Sequence, residues 1–126
     1  MLKGEALPVF NQGDMQRDFT FIDDIIAGVS AVLEGPPVRR SGELCAHRVY
    51  NIGNNRPEPL MRMIGILADA LGVEPILDFQ PMQPGDVQAT YADIDAIAND
   101  FGYVPSTPID VGIPKFADWY KHYHRI

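Results

Sequence analysis

Four stretches of this chain repeat apolar residues at three- and four-residue steps, and three of them end at a glycine. Apolar residues at that spacing share one face of a helix, so the pattern restricts the chain to a few short amphipathic helices. Ile22, Ile25, Ile26, Val29, Val32 and Leu33 mark a helix over about 22–34, with Asp23 and Asp24 where the positive end of its dipole favours carboxylates. Gly35-Pro36-Pro37 is its stop. Leu60, Ile64, Leu67 and Leu71 mark a second helix over about 58–71, with Pro57 and Pro59 tolerated in the first turn and Gly72 as a left-handed end. Met61 and Met63 read as adaptable core filler. Asp93 is placed to cap a short third helix carrying Ile94, Ile97 and Phe101 and closed by Gly102. Thr107-Pro108-Ile109-Asp110 reads as a capping box opening a fourth, whose stripe is Ile109, Ile113, Phe116, Tyr120 and Tyr123. Pro114 lies beyond its first turn and should cost about 3 kcal/mol unless the helix bends or starts later.

Between these helices, residues 15–21, 48–53 and 75–80 read as short strands, and 36–47 shows no period and reads as a surface loop. Three short strands are too scattered to close a sheet by themselves. The expected class is therefore α/β, a mixed α+β fragment of about four helices and short strands. At 126 residues the chain fits one unit, 1–126, able to bury roughly two thirds of the surface its unfolded form exposes.

Composition excludes several functions. A net charge of −7 argues against a nucleic-acid partner, because such proteins gather Lys and Arg against phosphates. One small anionic ligand needs only one or two well-placed cations. No apolar run approaches the roughly 20 residues that span a bilayer, so we expect no membrane partner. Cys45 stands alone and cannot form an internal disulfide, and with three scattered histidines it makes no standard zinc site. A cytoplasmic protein without a metal is expected.

Two segments hold the residues suited to a ligand. Arg17, on the strand before the first helix, presents the planar fork of donors that matches a phosphate, although from the residues alone a surface arginine paired with Asp18 or Asp23 is the favoured reading. Gln16, alternating with it, should face away. Asp86 follows Gln83-Pro84-Gly85, a rigid and a permissive residue that aim it from a tight turn; it reads either as a turn cap or as an acceptor for hydroxyl groups. Asp23 and Asp24 are neighbours on a helix and point apart, which suits helix capping better than acid/base work. His47, His122 and His124 show no partner spacing, and Trp119, Tyr120 and Tyr123 follow helical spacing as core or as exposed interface. No two glycines stand two or three positions apart, as a dinucleotide turn needs, and no tyrosine is followed four residues on by a lysine.

The run Pro8-Val9-Phe10-Asn11-Gln12-Gly13-Asp14-Met15-Gln16-Arg17-Asp18-Phe19, then Tyr50-Asn51-Ile52-Gly53-Asn54, Met82-Gln83-Pro84-Gly85-Asp86-Val87, Thr90-Tyr91-Ala92-Asp93 and Phe116-Ala117-Asp118-Trp119-Tyr120, resembles the extended short-chain dehydrogenase/reductases, the NAD-dependent epimerase/dehydratase family. Within it the likeness is greatest to the 4-epimerases of UDP-glucuronate. The resemblance implies the C-terminal, nucleotide-sugar-binding part of such an enzyme, lacking the N-terminal Rossmann half. It implies Arg17 against the diphosphate, Asp86 on the ribose hydroxyls, and Gln83 beside them where many relatives carry a phosphate-binding arginine. It further implies NAD in the complete enzyme but not on this chain, oxidation at C4 with hydride return to the other face, and no catalysis by this piece alone. The partners it implies are a UDP-sugar, the missing half and, through faces that half would cover, further copies of the chain.

Overall fold

The computed structural model describes residues 1–35, 41–42 and 46–126. Along the chain lie β1 (Leu7–Val9), a 3-10 turn (Phe10–Gly13), β2 (Gln16–Arg17), α1 (Ile22–Glu34), β3 (Glu58–Pro59), α2 (Leu60–Leu71), β4 (Leu77–Phe79), α3 (Asp95–Phe101) and α4 (Ile109–His124). This is a mixed α/β chain of four helices and short strands, the class its periodicity predicts. β1 pairs with β4 in parallel, Leu7 opposite Leu77, and β2 pairs with β3 in antiparallel, Arg17 opposite Glu58. Gln16 adds a parallel bridge to Ala89, so the segment after the proline-glycine loop runs beside β2.

The helices follow their stripes, with corrections at the ends. α2 starts two residues later than expected, because a residue before proline is pushed to extended backbone and Glu58 thereby suits pairing with β2. α3 begins at Asp95, whose amide donates to Asp93 Oδ1 at 3.0 Å, so Asp93 acts from just outside the helix. The capping box of α4 is not made: Pro108 occupies the N-cap without a side-chain bond, and the Thr107 amide donates to Asp24 instead. Pro114 is held inside α4, where it deprives the Asp110 carbonyl of its usual donor.

Strands fared less well. The run 15–21 narrows to Gln16–Arg17 and 75–80 to Leu77–Phe79, while 48–53 forms no strand and β1 was not expected. A strand needs a neighbour's ladder, and among the described residues neither two-stranded sheet reaches 48–53. The expected loop 36–47 falls largely outside the described residues.

Packing gathers in two places. Ile94, Ile97 and Tyr103 are buried together, with Val32, Tyr50, Ile52, Ala92 and Phe101 around them. Ile64 and Ala68 on α2 are buried where that helix lies along α4, which buries Ile109 and Ala117, while Val9 and Met15 are buried ahead of β2. Met61 fills the space before Gly13, where an added Cβ would stand 2.8 Å from its sulfur. The outer stripe of α1 is open: Ile22, Ile26, Val29 and Leu33 are all exposed, Leu33 at 76%. So are Phe116, Trp119 and Tyr123 of α4, with the last two rings stacked 5.4 Å apart.

Candidate functional site

Arg17 and Asp86, 69 residues apart in sequence, meet. One terminal nitrogen of Arg17 (Nη1) donates to the carbonyls of Gln16 at 2.8 Å and Gln88 at 3.2 Å, and the other (Nη2) reaches Asp86 Oδ1 at 3.2 Å. The partner of Arg17 is thus Asp86, not Asp18 or Asp23. The meeting is built by backbone: the Gln16 amide donates to the Gln88 carbonyl at 2.8 Å, so β2 and the loop's outgoing arm run side by side. Asp86 leaves a tight turn in which its own amide donates to the Gln83 carbonyl at 3.1 Å, with Gly85 at φ +85°. Few residues but glycine take that conformation easily. Gln83 is exposed and enters the site through this carbonyl. Asp86 Oδ1 also accepts the Val87 amide at 3.3 Å, so the carboxylate touches the backbone of its own turn as well as Arg17. The arrangement offers a fork of cationic donors beside an acceptor-only carboxylate, the chemistry that suits a ligand carrying both a phosphate and hydroxyl groups.

Beside this pair stands a carboxylate whose part was not read from sequence. Asp18 accepts the amides of Asn54 at 3.1 Å, Asn55 at 3.0 Å, Arg56 at 3.4 Å and Ala92 at 3.0 Å. It thereby ties the end of β2 to the 54–56 turn and to the continuation of the arm that carries Asp86. Gly53 makes this possible, since a Cβ there would overlap that of Ala92 and stand 2.9 Å from Asp18 Oδ2. The sequence signal was available: Asp18 alternates with Arg17 and had to point elsewhere, and Gly-Asn-Asn presents turn amides in need of an acceptor.

Asp24 is a second inward carboxylate. It is buried, and accepts the amides of Ser106 at 3.1 Å and Thr107 at 3.0 Å together with the Ser106 hydroxyl at 3.3 Å. Burial alone would raise its pKa, but these donors together outweigh it and hold the carboxyl below the usual carboxylate range. Tyr103 donates its hydroxyl to the Gly53 carbonyl at 2.9 Å, and burial, then the nearby Asp24 and Asp18, push its phenol above the ordinary value. It stays protonated as a structural donor.

Of the grooves among the described residues, two border the 18–22 corner, away from the Arg17–Asp86 pair. One of about 690 Å³ runs between Phe19–Ile22 and α4 over Ile113, Phe116 and Trp119, with Lys115 at its edge. Its apolar lining suits a packing partner rather than a phosphate. The other, about 530 Å³, is more polar and is lined by Asp18, Asn51, Thr90 and Asp93 among others. The charge pair is the better ligand candidate, because an anion needs paired donors more than volume. The strand-to-helix corner between β2 and α1 is Asp18-Phe19-Thr20-Phe21, without a glycine, and Asp23 stands in the first helical turn, which disfavours an anion there. Among the described residues no group of three or more His, Cys, Asp or Glu is placed to hold a metal.

Residues 1–53 match the model of the NAD dependent epimerase/dehydratase family. Protein CapI of Staphylococcus aureus is 35% identical, over 99% of this chain and 40% of its own length; UDP-glucuronate 4-epimerase 2 of Arabidopsis thaliana is 36% identical, over 99% of this chain and 31% of its own. In three dimensions the chain matches UDP-glucuronic acid 4-epimerase from Bacillus cereus, solved with UDP-glucuronic acid and NAD, with a TM-score of 0.79 and 29% identity, over 98% of this chain and 37% of that one. Over nearly its whole length the chain is similar to NAD-dependent sugar epimerases. It spans well under half the length of these relatives.

Proposed function

We propose that the chain is the C-terminal, nucleotide-sugar-binding portion of an NAD-dependent sugar epimerase that acts on UDP-glucuronate. The observation that carries this reading is the contact between Arg17 and Asp86, which brings a phosphate-type donor and a diol-type acceptor onto one surface. The relatives support the substrate class. In this reading Arg17 takes the diphosphate, Asp86 the ribose, and Gln83 shapes the turn that presents Asp86. NAD would supply hydride exchange at C4 from the remainder of the enzyme, and residues 1–126, taken as one unit, bind and orient the nucleotide. The single cysteine supports a cytoplasmic setting. Titration calorimetry tests the proposal: the folded chain should bind UDP, and Arg17→Ala should weaken binding about tenfold or more, the loss of one hydrogen bond to a charged group. A folded sample that takes up no UDP overturns it. The chain alone should show no epimerisation of UDP-glucuronate. The exposed stripe of α1 favours a second property, association of copies of the chain through faces that a longer enzyme would cover.

A further inference from the structure

The contact that assembles the site also occupies it. Arg17 is held in two unlike ways: Nη1 is anchored on two backbone carbonyls, whereas Nη2 meets side chains, the Asp86 carboxylate and, at 3.9 Å, the Met15 sulfur. The backbone anchor stays if Asp86 moves. The contact with Asp86 is made to be exchanged. It is one 3.2 Å bond, longer than the roughly 2.7–2.9 Å of strong charge-assisted pairs, and its two side chains are 26% and 34% exposed. Asp86 sits in a turn whose Gly85 has open space around it, in a stretch exposed from residue 81 to 90. A phosphate reaching Arg17 therefore meets a donor already taken and a carboxylate that repels it.

Resting on the reading of Arg17 and Asp86 as nucleotide contacts, we propose that Asp86 is a placeholder anion and thereby a specificity-determining residue. In the unliganded chain it holds the Arg17 donor that a diphosphate would take. It releases that donor when a vicinal diol offers its carboxylate two hydroxyl donors in exchange. The site then accepts phosphate and diol together and turns away an anion that lacks the diol.

Calorimetry with inorganic pyrophosphate and with UDP, on the full chain and its variants, tests this. Asp86→Asn and Asp86→Ala should bind pyrophosphate about two- to fivefold more tightly, the range expected for releasing a partly exposed ion pair, while binding UDP more weakly. Asp14→Asn removes the same charge from a neighbouring carboxylate that touches Gln88 and not Arg17, and should leave both affinities as they were. Pyrophosphate binding that is undetectable, unchanged or weaker in the Asp86 variants overturns the proposal, as does an equal gain in Asp14→Asn. UDP binding that depends on Arg17 keeps the underlying reading standing when the exchange fails. A folded chain that binds no UDP removes both.

Discussion

Around Asp18 the tolerance for change is small. Its carboxylate holds four amides only because Gly53 lets the 53–56 turn lie against Ala92. Gly53→Ala should lower unfolding free energy by about 1–3 kcal/mol, the usual range for overpacking, measured by urea denaturation. Asp24 gives a pH signature whose sign follows from its depressed pKa. The unfolded state binds its proton more readily, so the Asp24 contribution is whole above the unfolded pKa and is lost as pH falls through the lower folded one. Asp24→Asn should therefore be less stable than the unaltered chain at neutral pH, with the gap narrowing below about pH 4, as equilibrium urea titrations across that range would show. Arg17 and Asp86 were legible as ligand-type residues, since a guanidinium on a strand and a carboxylate on a proline-glycine turn carry their chemistry with them. Their contact was not legible, nor were the duties of Asp18 and Asp24. Those depend on partners 36 to 83 residues away, and no local pattern encodes such distances.

At the level of elements, helices announce themselves because their apolar period is local, and α1 to α4 stand where that period puts them. Strands depend on which neighbour supplies a ladder, which explains why 48–53, though β-branched and aromatic, forms none and why β1 went unread. Capping failed at Thr107 for a related reason: an acidic side chain from α1 took its amide first. Pro114 is an element-level conflict that the fold tolerates without removing. Pro114→Ala should restore a donor to the Asp110 carbonyl and stabilise the chain by about 1–3 kcal/mol, read as a higher thermal midpoint with helical circular dichroism preserved.

For the molecule as a whole, the four exposed residues along α1 and the aromatic face of α4 leave apolar side chains open in rows rather than singly. Sedimentation velocity should find concentration-dependent association, and Ile26→Glu with Leu33→Glu should shift the chain to a monomer; a monomer without those substitutions would count against the open stripe as an adhesive face. The parallel pairing of Leu7 with Leu77 has a kinetic consequence. β1 and β4 join only after residues 70 positions apart, Leu7 and Leu77, have been brought together, and the bridge from Gln16 to Ala89 closes a longer loop. Loop closure costs entropy before any contact repays it, so contacts of such separation form slowly relative to the helices. Arg17 and Asp86 meet on the far side of that closure. Ligand uptake during refolding should accordingly lag behind helix formation and coincide with the last, cooperative step.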